Sequence, residues 1–167
     1  MKALVNNYPA KQQAELLKDF GTHIGLELVF DDAAQCLLMV DETLISIRAR
    51  DERFMFYGML GEFPQVQQAG FWKHVLSLNA DLVEQQRGAI TVELGSDRIS
   101  LLQSVDVSTM APGQLSGALR EFVDQVNHLV ALLDRETAVQ HVAGIDAGAR
   151  EGDPAPRRAD DLFNRMA

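Results

Sequence analysis

"RFMFYGMLGE", residues Arg53 to Glu62, decides how the rest of this chain is read. A β-strand sends alternate side chains to opposite faces, so Phe54, Phe56 and Leu60 point one way while Met55, Tyr57 and Met59 point the other. Both faces are apolar, and both need cover. Before Glu62 the stretch holds no Ser, Cys, His or carboxylate. The question it raises is therefore what covers its second face.

Upstream, "CLLMVD" and "TLISIRAR" are separated by an Asp41–Glu42 turn, and the polar turn "RDER" leads into the opening stretch. Together they predict a three-strand meander. Leu37 and Met39 face opposite to Cys36, Leu38 and Val40, and Leu44 faces opposite to Ile45 and Ile47. The meander thus carries more apolar surface than one core face uses.

Helices are expected on either side. Leu17, Phe20 and Ile24 recur at helical spacing after Pro9, which predicts a first helix from about Ala10 to Phe20, ending near Gly21. Pro64 closes the third strand. Phe71, Val75, Leu78 and Leu82 then step by four, three and four, marking a second helix with a break near Asn79. "AITVEL", the turn "GSD" and "RISLLQSVDV" form a hairpin.

The clearest period belongs to the third helix. From Pro112, residues Leu115, Leu119, Phe122, Val126, Leu129 and Leu133 hold one stripe, with Ser108 or Thr109 as the cap. From Gly144 onward, ten of 24 residues are Gly, Pro or Ala, and no period appears before "LFNRM". A mobile tail over 144–167 is expected, behind one domain over 1–143. The predicted class is α+β, an antiparallel sheet with three helices in the order α-β-β-β-α-β-β-α.

Composition narrows the partners. The 167 residues are 47% hydrophobic, enough for one core, and 15 basic against 24 acidic residues give a net charge of −9. That sign opposes binding to nucleic acid or to an anionic membrane surface. The N-terminal "MKALVNNYPAKQQ" has no apolar run of signal-peptide length, and no segment approaches the roughly 18 apolar residues of a membrane span. A cytoplasmic protein is expected. The single cysteine, Cys36, excludes an internal disulfide.

No chemistry assembles along the chain. The histidines at 23, 74, 128 and 141 form no i, i+4 pair and flank no spaced cysteine, so no metal site is expected. Cys36 leads a leucine-rich strand, where a thiol behaves as a small hydrophobe. Serines 46, 100, 104 and 108 lack a Gly-X-Ser-X-Gly elbow, and the "GMLG" of Gly58 and Gly61 lacks the lysine and helix start of a phosphate loop. A strand bulge or a close backbone approach explains those glycines. Neither an enzyme nor a cofactor is expected. The surplus apolar strand surface is expected to be covered by helices on both faces, by a second copy of the chain or by a binding partner, and Met39, Met55 and Met59, able to fit varied side chains, suit the last.

At this point the chain resembles the class I chaperones of bacterial type III secretion, the Tir chaperone family. The matching stretches are "LLKDFGTHIGLEL", "CLLMVDE", "FMFYGMLGEFP", "VLSLNADLVEQQRGAITVELGSDRISLLQSV" and "ALREFVDQVNHLVALL", spanning about Leu16 to Leu133. A leucine-rich helix end, then Asn, then Gly-Ala before a strand is a recurrent family signature. Here it is Leu76, Leu78, Asn79, Gly88 and Ala89. His128, where relatives often carry an aromatic, and the tail beyond Gly144 depart from the pattern.

The resemblance implies a homodimer that binds the N-terminal chaperone-binding region of a secreted effector, with the secretion ATPase as a further partner. It implies a dimer interface on the second helix and following strand, for which Phe71, Val75, Leu78, Val92 and Leu94 are the candidates. Leu37, Met39, Leu44 and Phe54 are the candidate effector contacts, lying where the family has a groove. The rival expectation is a regulatory adaptor of the secretion system with the same dimeric fold.

Overall fold

The computed structural model describes residues 11–62, 69–92 and 97–148, with residues 136–148 described through their backbone alone. Its elements are α1 (Lys11–Ile24), β1 (Gln35–Val40), β2 (Thr43–Arg50), β3 (Arg53–Glu62), α2 (Ala69–Glu84), β4 (Ala89–Val92), β5 (Arg98–Asp106) and α3 (Pro112–Gly148). This is the α+β order that periodicity predicts. The strands form one antiparallel sheet in the order β1-β2-β3-β5-β4.

The first hairpin is set by its turn. Val40 pairs with Thr43, and the two residues between, Asp41 and Glu42, take φ of 45° and 68°. Two left-handed residues in a two-residue loop match the twist of the strands they join. β3 then sits at the centre of the sheet, between β2 and β5. Phe54, Phe56 and Leu60 enter the core, whereas Met55, Tyr57 and Met59 face away from it.

Two glycines keep β3 compatible with that position. A Cβ on Gly58 would lie 2.4 Å from Val126 Cγ2 and 3.2 Å from Phe122 Cε1, so α3 rests directly on the bare backbone. Val126 is fully buried and stiff at χ1, and it has nowhere to retreat. Gly58→Ala is expected to destabilise the fold by about 1–3 kcal/mol, read from urea unfolding. An unchanged midpoint would show that α3 does not seat on this strand. Gly61 lies at a register shift in the β3–β5 ladder with φ 148°, the bulge alternative.

The helices depart from expectation in three places. α1 runs through Gly21 to Ile24. Gly21 is buried there because a side chain would strike the returning Leu26 carbonyl at 2.7 Å. Termination falls instead at Gly25, φ 75°, where the Leu26 and Gly25 N–H groups donate to the Gly21 and Thr22 carbonyls at 2.8 and 3.3 Å.

α2 is unbroken at Asn79. That residue reaches sideways, its Oδ1 accepting the Ile90 N–H of β4 at 2.7 Å. Asn79→Ala leaves a half-buried donor without its acceptor, at an expected cost of about 1–3 kcal/mol in chemical unfolding. Equal stability of the variant would remove Asn79 as the tie between helix and strand.

α3 begins at Pro112 as predicted, but neither Ser108 nor Thr109 caps it. Gln114 reaches back to accept the Ala111 N–H at 2.8 Å. Ser108 instead donates its N–H and hydroxyl to Asp106 Oδ1, at 3.0 and 2.7 Å, and these bonds hold the Asp106 carboxyl below its ordinary range. The helix continues to Gly148, taking in the first residues of the expected tail; residues 149–167 lie outside the described ones.

One core joins all three helices to one face of the sheet. Leu17 and Phe20 of α1, Phe71 and Val75 of α2 and Phe122 and Val126 of α3 pack with Ile45, Ile47, Phe54, Phe56, Ile99 and Leu101. Buried polar side chains lock the layers. Gln13 Nε2 donates to the Arg53 carbonyl at 3.1 Å, and Gln125 Nε2 to the Arg87 carbonyl at 2.8 Å.

Candidate binding surface

Strand alternation places the other half of the sheet residues on the face without helices. In register across four strands stand Leu37, Ser46, Tyr57 and Leu102. Beside them, Met39 pairs with Leu44 and Met59 with Ser100. Leu37 and Met39 are 60% and 61% exposed, Leu44 46% and Met59 40%, unusually high values for large apolar side chains adjoining one another. Leu37, Leu44 and Met59 border a shallow trough of about 510 Å³.

One end of this face is cationic. Arg48 follows Ser46 on β2, with its guanidinium carbon 4.7 Å from the centre of the Tyr57 ring. Arg50 continues the same side toward the β2–β3 turn, beside Met55 and Gln35. Ser46 Oγ is buried between its neighbours without a hydrogen-bond partner among the described residues. Nothing here pairs a nucleophile with a base. Cys36 points into the core, where burial pushes its thiol pKa up and away from reactivity. Such a surface can bind an extended apolar segment.

Three of the four candidate effector residues, Leu37, Met39 and Leu44, come together on this face. Phe54 does not. It is fully buried, edge-on to the Phe30 ring at 5.7 Å, because it shares the parity of Phe56. Met59 and Tyr57 stand in its place, and the same alternation could have pointed to them. A second exposed cluster, Ile24, Leu26 and Val29, follows the end of α1.

The helix candidates also divide. Phe71 and Val75 are each 4% exposed and belong to the core of the single chain, with Leu78 packed half-buried against it. Val92 is exposed, and Leu94 lies outside the described residues. The outward stripe of α2 is instead Leu76, Ala80 and Val83, spaced four and three, with Leu76 64% and Val83 55% exposed. A second apolar stripe on an already packed helix was the signal for these residues.

The fold is a helix-backed antiparallel sheet with one open, partly apolar face. The chain belongs to the Tir chaperone protein (CesT) family, whose model matches residues 15–130. That span agrees with the resemblance drawn from the sequence, and membership of a chaperone family bears out the expectation of a non-enzyme.

Solved structures share the fold. The HopA1–SchA chaperone–effector complex matches at 16% identity and a TM-score of 0.59, covering 70% of this chain and 91% of that one. The ExsC–ExsE complex matches at 18% and 0.61, covering 72% and 92%. YbjN from E. coli matches at 16% and 0.51, covering 74% and 92%. No helix among the described residues is long and apolar enough to cross a membrane.

Proposed function

We propose that this chain is a cytosolic type III secretion chaperone that binds an extended segment of a secreted effector and keeps it soluble and competent for export. The observation that carries the reading is the uncovered apolar sheet face of Leu37, Met39, Leu44 and Met59 in a member of a chaperone family. An extended segment can lay alternate side chains onto that face, and the broad apolar contact offsets the entropy lost on ordering it. The chaperone–effector complex among the solved structures of this fold supports a partner-binding role.

The working form is a homodimer. Its interface lies on the outer stripe of α2, Leu76, Ala80 and Val83, next to Val92 of β4, because these side chains have no role in the core of one chain. A two-fold axis beside α2 would bury each stripe against its own copy.

The test is coexpression with the N-terminal region of a candidate secreted protein, sought first in the neighbouring reading frames. Copurification as a soluble complex with two copies of this chain is expected, together with loss of export when the chain is deleted. A secreted protein that remains soluble and exported without it overturns the chaperone role. Altered expression of the secretion system without any bound secreted protein would favour a regulatory adaptor.

A further inference from the structure

Resting on the open face as the effector surface, we propose that Arg48 and Arg50 select effectors that place a carboxylate four residues along from an apolar anchor. The face is graded. Along β2, Leu44, flanked by Met39 of β1 and Met59 of β3, is apolar and Arg48 and Arg50 are cationic, while Arg98 of β5 lines the trough beyond Met59. Leu44 and Arg48 share one side of β2, four residues and therefore about 13 Å apart. A bound extended segment has the same period, so a side chain over Leu44 and one over Arg48 are also four residues apart.

Local charge favours an acid at that second position. The chain as a whole is at −9, yet neither arginine has a carboxylate partner among the described residues. Asp51 and Glu52 follow Arg50 in the β2–β3 turn and form no ion pair with either arginine, and two further acids bond locally. Asp31 Oδ1 accepts the Ala33 and Gln35 N–H groups at 2.9 and 2.8 Å, and Asp106 is paired across the ladder with Arg53 while accepting from Ser108. Tyr57 already holds the Arg48 guanidinium over its ring, so less freedom is lost when a carboxylate docks in the guanidinium plane. Apolar contact would give affinity, and the arginines would give register and choice of partner.

Three fluorescein-labelled peptides test this on the full-length protein by anisotropy. Each alternates leucine and serine, and the leucine-side position four residues after the first leucine carries Asp, Asn or Lys. The Asp peptide is expected to bind about tenfold more tightly than the Asn peptide, with Lys weakest, and the gap should narrow in high salt. Arg48→Glu with Arg50→Glu should reverse the order while circular dichroism stays unchanged.

Equal binding of the three peptides, or an Asp preference that survives the double reversal, overturns the selection. If all three bind equally and Leu37→Asp with Leu44→Asp abolishes them, the surface stands without acid reading. If none of the three binds, both the surface and the selection fall.

Discussion

Glutamate at both Leu76 and Val83 is expected to give a folded monomer in place of the proposed dimer. The two side chains are 64% and 55% exposed in the single chain, so their replacement costs its core little. In a two-fold interface each change counts twice, and four carboxylates would meet where four apolar side chains had been. Dissociation should be complete at micromolar concentration in light scattering, with circular dichroism unchanged.

Val75→Glu supplies the contrast. Val75 is 4% exposed among core residues, and an unpaired charge there should unfold the chain rather than separate two chains. A persistent dimer in the Leu76, Val83 variant would remove the outer stripe of α2 as the interface. A folded monomer from Val75→Glu would restore the inner stripe.

On the proposed function, aspartate at both Leu37 and Leu44 is expected to leave the protein folded but unable to hold an effector segment. Their exposure in the single chain, 60% and 46%, predicts only a minor loss of stability. With about half of each leucine still exposed in the single chain, covering the pair contributes about 1.5–3 kcal/mol in all, so its loss lowers affinity roughly 10- to 10²-fold. Isothermal titration with the copurifying effector segment measures it. Wild-type affinity in a folded variant would exclude this face as the effector site, and an unfolded variant would mean that the face is covered in the dimer.

What the chain wrote locally could be read locally. The alternation in "RFMFYGMLGE" assigned each side chain of β3 to its face, and the same two-residue period separated Leu37, Met39 and Leu44 from Cys36, Ile45 and Ile47. The step of three and four in α3 marked its buried side from Leu115 to Leu133. These patterns follow from the geometry of a single strand or helix, which every residue carries with it. Order and class followed from them, and the family resemblance rested on the same spacing.

Other features depended on what arrives from elsewhere in the chain. Gly21 and Gly25 look alike as helix ends, and the return of Leu26 and Leu28 across Gly21 moved the end to Gly25. Asn79 looked like a break until β4 supplied the Ile90 N–H for it to accept. Alternation sorts Phe54 to its face but leaves open whether that face meets an effector or the core, since only the landing of the helices determines which face is closed.

α2 shows the division most clearly. It carries two apolar stripes, and periodicity detects both without ranking them, because the rotation of a helix about its own axis is set by its neighbours. Packing against β4 and α3 turned Phe71 and Val75 inward and left Leu76 and Val83 outside. The sequence by itself determined the elements, their order and the two faces of each. Only the tertiary structure decided which face became core and which remained available to a partner, since burial is a property of contacts between elements distant along the chain.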